Sequence, residues 1–206
     1  MEEASEDLGD GNIADLIEFN PSRKLVRGIK APYLEMSYLS NNTFSPSNWR
    51  MREFSSGMRF INKDTLLARI TPCLENGKAA YIKFLKDGQV AWGSTEFIVM
   101  RPKIEIHPFF AYTLARNDEF RDYAIGCMEG SSGRQRVNVD YLANYSIKIP
   151  SRLTIHKFNE IAAFIEPKLH ANAMQILTLQ KLRDTLLPKL ISGEVRVKKL
   201  RRRNLI

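Results

Sequence analysis

Residues 155–190 read IHKFNEIAAFIEPKLHANAMQILTLQKLRDTLLPKL, and their spacing decides the architecture. With Ile155 at heptad position a, the a positions are Ile155, Ala162, Leu169, Ile176, Arg183 and Leu190. The d positions are Phe158, Ile165, Asn172, Leu179 and Leu186. Only Asn172 and Arg183 break the apolar seam. A 3.5-residue repeat held over about five heptads predicts a long helix packed against another long helix. At 1.5 Å per residue such a helix reaches roughly 50 Å, too long to bury its stripe on one compact domain, so the seam predicts a helical partner. Pro167 falls at the outward f position, where it removes one hydrogen bond without ending the pattern. Asn172 is where register and pairing would be specified.

Before this helix the period changes. PYLEMSYL, RFINKDTLLARI, KAAYIKFL and VAWGSTEFIVM, between residues 32 and 100, alternate or are rich in β-branched and aromatic residues. They break at Asn62-Lys63-Asp64, Asn76-Gly77 and Asp87-Gly88, the last with the two-residue spacing of a tight hairpin. A mostly antiparallel sheet is expected. HPFFAYTLARNDEFRDYAIGCM returns to a period near 3.6 and predicts one helix, or two broken near Asn117-Asp118, with Phe110, Leu114, Tyr123 and Ala124 inward. VDYLANYSIKIP predicts a helical turn and a strand. Near the start, NIADLIEFNPSRK predicts a short helix halted at Asn20-Pro21. The fold class is α+β: an acidic, disordered leader over 1–10, a globular, mostly antiparallel domain with short helices over 11–152, one long coiled-coil-forming helix over 153–192, and a basic tail over 193–206.

Composition limits what such a chain can do. No apolar run in its 206 residues approaches the roughly 18 needed to cross a bilayer, and the start is acidic where a secretory signal would be basic, so a cytoplasmic location is expected. Cys73 and Cys127 lack C-x-x-C spacing, and His107, His156 and His170 are scattered, which argues against a metal site. The net charge is +8; setting aside six basic groups in the last twelve residues and five acidic groups in the first ten leaves the body at +7. A basic body favours a polyanionic partner.

Catalytic equipment is sparse. The chain has no G-x-S-x-G elbow and no methyl-transfer signature; Glu75 and Lys78 do not have the acidic-x-lysine spacing of a nuclease. Residues 129–137, EGSSGRQRV, look like an anion-holding loop, but Gly130 and Gly133 fit neither the P-loop nor the dinucleotide spacing. What remains is the equipment of a DNA reader. Arg50, Arg52, Arg59, Arg69, Lys78, Arg134 and Arg136 can contact phosphates or guanines, and Asn76, Gln135 and Asn138 are the amide type that reads adenine. Tyr33, Tyr38, Trp49 and Trp92 interleave with them. The polar segments NKDTLLARITPCLENGK, GSTEF and GSSGRQR, set among strands, supply the expected contacts: Arg69, Asn76, Lys78, Ser94, Thr95, Ser131, Ser132, Arg134, Gln135 and Arg136. Glu96 is expected to brace an arginine.

DTLLARITPCLENGKAA, WGSTEFIVMRP, DEFRDYAIGCMEGSSGRQRV and LQKLRDTLLPKLISGEVRV, in that order, resemble the specificity subunits of type I restriction–modification systems. LRDTLLPKLISGE, residues 182–194, is the most specific piece. The resemblance implies a target recognition domain followed by a spacer helix. It also implies a subunit that performs no chemistry itself: it reads double-stranded DNA and scaffolds methyltransferase and restriction subunits, which carry S-adenosylmethionine, ATP and Mg. Full-length members usually have two such domains and two helices, whereas this sequence has one of each, as a natural half-subunit or the C-terminal half of a longer protein would. In both cases the exposed heptad seam predicts a homodimer through residues 155–190, reading two half-sites in opposite orientation. The rival readings are a stand-alone DNA-modifying enzyme and a coiled-coil adaptor that binds no DNA.

Overall fold

The computed structural model describes residues 8–103, 105–131 and 133–196. In chain order the elements are β1 (Leu8–Asn12), α1 (Ile13–Leu16), β2 (Ile17–Phe19), β3 (Lys30–Leu34), a 3-10 turn (Met36–Tyr38), β4 (Arg50–Glu53), β5 (Met58–Phe60), β6 (Thr65–Ala68), β7 (Ala79–Tyr81), β8 (Ala91–Gly93) and β9 (Phe97–Pro102). They are followed by α2 (Phe109–Ala115), α3 (Asp118–Gly126), β10 (Met128–Glu129), β11 (Arg136–Val137), α4 (Val139–Ala143), β12 (Ser146–Ile149) and α5 (Arg152–Ile191). The class is α+β. The chain divides into two compact units, residues 1–170 and 171–206, so the first unit takes in the opening turns of α5 as well as everything before it.

Among the described residues two four-stranded sheets form where one sheet is expected. Strands run in the order β2-β9-β6-β7 in one and β4-β3-β8-β5 in the other, and β1-β12 and β10-β11 form two-stranded ribbons. All pairs are antiparallel except β3 with β8. The first sheet is buried on both faces. Leu67, Ala79, Ile98 and Met100 point to a core shared with Ala111, Ala115, Phe120 and Ala124 of α2 and α3. Their neighbours Leu66, Ala80, Phe97 and Val99 point the other way, to a core shared with Leu34, Phe60 and Ala91 of the second sheet. A strand between two apolar layers needs no polar face, which is why TLLA and FIVM read as continuous apolar runs.

Several local expectations are corrected. Leu8–Asp10, placed in the disordered leader, belong to β1 and pair with β12; residues 1–7 of that leader, and 197–206 of the basic tail, lie outside the described residues. The first helix ends at Leu16, and the chain is already extended over Ile17–Phe19 before Asn20. Asp87-Gly88 makes a turn, with Gln89 N–H donating to Lys86, but no hairpin: β7 pairs with β6, whereas β8 joins β3 and β5. The cause is Asn62. Its side chain holds both the N–H and the carbonyl of Leu85 at 3.0 and 2.8 Å, backbone groups that a hairpin ladder would have needed. The helical run does split at Asn117, whose side chain accepts from Phe120 N–H as the cap of α3. Its inward residues are Phe109, Ala111, Ala115, Phe120 and Ala124; Phe110 and Leu114 are half-buried, and Tyr123 is exposed.

Helix α5 starts on Ser151, whose hydroxyl accepts from Thr154 N–H. It stops at Gly193, whose positive φ of 77° allows its N–H to return to the Leu190 carbonyl. It passes Pro167 without a break. Within the first unit, its residues expected to pair with another helix divide. Ile155 packs on the α2–α3 core, Phe158 meets Phe110 edge-on with centroids 5.8 Å apart, and Ala162 is 1% exposed. Those three cover the globular unit itself. Asn159 adds two hydrogen bonds, accepting from His107 N–H and donating to the Glu105 carbonyl, both at 2.8 Å. The buried Glu166 carboxylate accepts from Lys83 Nζ at 2.9 Å through both oxygens. Ile165 is exposed and Leu169 half-buried. In the second unit Asn172, Ile176, Leu179, Arg183, Leu186 and Leu190 are all exposed.

Candidate nucleic-acid interface

The three polar segments set among the strands meet in space. Strands β10 and β11 form a short hairpin whose tip, residues 130–135, is the glycine-rich loop; Glu129 lies opposite Arg136. Gly130 has φ 117°, and a Cβ there would stand 3.3 Å from the Arg134 carbonyl, so the tight return of the loop requires glycine. The loop after β6 is clasped to this hairpin. Val137 N–H donates to the Arg69 carbonyl at 2.8 Å, Ile70 bridges Arg136, and Thr71 N–H donates to the Gln135 carbonyl at 3.1 Å. The β8–β9 turn joins from the other side, since Arg69 N–H donates to the Glu96 carbonyl at 3.0 Å.

Two arginines lock this junction. Arg136 forks onto Glu96, with Nε 2.9 Å from both carboxylate oxygens and Nη2 2.8 Å from Oε1. The Glu96 hydrogen bonds, and then its charge, hold the Arg136 guanidinium above the ordinary arginine pKa. Arg69 donates through Nη2 to the Val137 carbonyl at 2.9 Å. Both therefore shape the site before any ligand arrives, and Glu96 braces an arginine as expected. Ser94 supports the turn by accepting from Glu96 N–H at 3.1 Å. Gln135 contributes its carbonyl, to Thr71.

The exposed members are then Asn76, Thr95, Ser131 and Arg134, with Lys78 half-buried; Ser132 lies outside the described residues. Asn76, Gly77 and Lys78 are fixed by backbone bonds to Pro72, Leu74 and Cys73. Beside the junction lies an open polar hollow of about 540 Å³, lined in part by Arg69, Arg136, Asn20, Asn138, Glu129 and Asp140. Its mixed charge suits a ligand that offers donors as well as acceptors, as base edges do.

One positioning residue carries no motif that sequence reasoning could have found. Arg116, at the end of α2, donates to five backbone carbonyls, those of Ser40, Asn41, Thr43, Gly77 and Ala79, at 2.7–3.2 Å. The Gly77 bond ties the Asn76–Lys78 turn to the helical layer. No group of His, Cys, Asp and Glu among the described residues could hold a metal ion.

Known proteins bear on this geometry. No family model matches the chain. Among curated relatives, the specificity subunit of the type I restriction enzyme EcoEI of Escherichia coli is 37% identical over 92 residues, 44% of this chain and 15% of that protein. The EcoAI specificity subunit of the same species is 26% identical over 184 residues, 86% of this chain and 31% of that one. The MjaIX specificity subunit of Methanocaldococcus jannaschii is 38% identical over 64 residues, 31% and 15% of the two chains. The chain thus spans less than a third of the length of these relatives. Among solved structures, the HsdS subunit from Thermoanaerobacter tengcongensis superposes with a TM-score of 0.58 at 18% identity over 94% of this chain and 50% of that one. The type I restriction-modification S subunit from M. genitalium gives 0.53 at 15% identity, over 90% and 46%. By sequence this chain is similar to type I restriction enzyme specificity subunits, and by fold it resembles two solved S subunits.

Proposed function

We propose that this chain is a non-catalytic DNA-recognition subunit of a type I restriction–modification complex, which reads one half of a bipartite target. The observation that carries the reading is the junction at Arg69, Glu96 and Arg136. Three loops from different strands are tied there into one rigid ledge, and Asn76, Thr95, Ser131 and Arg134 stand exposed on them. Loops pre-ordered on a scaffold are what base-edge readout requires, because a side chain displaced by an ångström loses a paired hydrogen bond. In this reading Arg134 and Lys78 engage phosphates or guanines, and Asn76, Thr95, Ser131, Ser132 and Gln135 supply polar contacts. Methyltransferase and restriction subunits are the protein partners, and S-adenosylmethionine, ATP and Mg belong to them. No helix among the described residues is long and apolar enough to cross a membrane, in keeping with the cytoplasmic setting such a complex needs.

The chain pairs with a second copy through α5. Exposed Ile161, Phe164 and Ile165 in the first unit, and exposed Ile176, Leu179, Leu182, Leu186 and Leu190 in the second, are the surface for it. Ile155, Phe158 and Ala162 are already spent on the globular unit. A two-fold dimer would read an inverted repeat. The test is selection of bound duplexes from a random pool, with and without the methyltransferase subunit. Enrichment of an inverted repeat with one preferred gap is expected; a pool that stays random under both conditions would overturn the reading.

A further inference from the structure

The second sheet carries a transverse row that none of the loop segments includes. Arg59 of β5 is the register partner of Trp92 of β8, Trp92 that of Tyr33 of β3, and Tyr33 that of Arg50 of β4. Register partners point to the same face of a sheet, so one face presents the order arginine, tryptophan, tyrosine, arginine. Arg52, two residues along β4, shares that face. The rings and guanidiniums interlock: Arg52 lies over Tyr33 at 4.9 Å and over Trp92 at 5.7 Å, Arg50 over Tyr33 at 5.6 Å, and Arg59 over Phe54 at 5.9 Å. Trp92 Nε1 donates to the Arg52 carbonyl at 3.4 Å. The opposite face, with Leu34 and Phe60, is core.

We propose that this row is a second phosphate-gripping surface, which holds the backbone of duplex DNA beside the glycine-hairpin ledge. The inference rests on the DNA-reading function proposed above. Continuity favours DNA as the occupant, because Trp92 and Gly93 lead directly into Ser94, Thr95 and Glu96 of the ledge. Charge favours it too. Of the nearby acids, Glu35 pairs with Arg50 and offsets its charge, and Glu53 alternates with Arg52 along β4 and so points to the other face, so the face is net cationic through Arg52 and Arg59. Four strands at 4.7–4.9 Å spacing make the row about 14 Å long, which spans about four base-pair steps of the roughly 3.4 Å axial rise of duplex DNA. Guanidiniums stacked on rings are already ordered, which lowers the entropic cost of holding an anion.

The competing account is that these arginines only cover Trp92 and guard the two edge strands β4 and β5. The deciding experiment is the salt dependence of duplex binding by fluorescence anisotropy, for the native chain, for the combined R50Q, R52Q and R59Q variant, and for the combined R50K, R52K and R59K variant. Each phosphate contact contributes about 0.9 to the slope of log affinity against log salt. The glutamine variant should lose about 2.7 from that slope, so that its affinity advantage at 50 over 200 mM salt shrinks by about 40-fold, equally on preferred and random duplexes. The lysine variant should keep most of it. R52Q alone, at an exposed position, should lose about 0.9 and carries the test should the triple variant melt early. Native binding with an unchanged slope in R52Q and in a folded triple variant would overturn the row and leave the ledge standing. Native protein that bound no duplex would overturn both.

Discussion

Up to His170, α5 turns Ile155, Phe158, Ala162 and Glu166 onto the globular unit, where apolar packing and the Lys83 ion pair hold it. From Ala171 onward the same heptad leaves Ile176, Leu179, Leu186 and Leu190 exposed, with Leu179 at 63%. One repeat thus serves two ends. In the first stretch an alanine and a buried carboxylate are tolerated at the covered face because a sheet and two helices supply the complement. In the second, Ile176, Leu179, Leu186 and Leu190 recur at the seam positions, interrupted by Asn172 and Arg183, the pattern of a surface that pairs with a like helix in a set register. An apolar stripe predicts that something will cover it; the identity of the cover is written in the covering element.

Four experiments bear on that contrast. Ala162→Arg drives an unpaired charge into a packed face and should cost about 3–5 kcal/mol of unfolding free energy, read from the urea midpoint; a cost under about 1 kcal/mol would mean that the face is loosely packed. Lys83→Met strands the Glu166 carboxylate. Because Lys83 is about a third exposed, the expected loss is about 1–3 kcal/mol, and adding Glu166→Leu should restore most of it.

Acidification should also loosen the first unit. His107 and His170 titrate below their usual 6.5, chiefly because burial disfavours the imidazolium; for His170 the Lys83 charge adds to this, and Glu166 opposes it at both. The unfolded chain then binds the protons more readily, so the stability these sites confer is full above pH 6.5 and is lost as the pH falls below that value through the lower folded-state pKa values. Urea midpoints at pH 7.5 and 5.5 measure it, and replacing both histidines by asparagine should flatten the difference. The smallest effect on folding belongs to the second unit. Leu179→Glu with Leu186→Glu should shift unfolding free energy by less than about 0.5 kcal/mol while turning a dimer into a monomer by sedimentation; loss of folding with loss of assembly would erase the contrast between the two stretches.

Much of the candidate site was marked in the sequence, because loops with turn chemistry and basic residues announce themselves. Arg136 was expected as a DNA contact; its fork onto Glu96, 40 residues away, follows from β8–β9 meeting the β10–β11 hairpin, a juxtaposition that no local spacing encodes. Arg116 was invisible for a similar reason: its five carbonyl partners come from two separate stretches of chain. The Asp87-Gly88 signal failed because Asn62, in the turn between β5 and β6, occupies the Leu85 backbone. The apolar runs of β6 and β9 showed strands but could not show that two different layers would bury their two faces.

In the proposed function, the first stretch of α5 completes the reading domain while the second sets the distance between two such domains. Removing one heptad, residues 177–183, and repeating the duplex selection separates the two roles. The half-site sequence should persist with a shorter preferred gap, and the thermal melt of the first unit should hold. An unchanged gap would contradict the account.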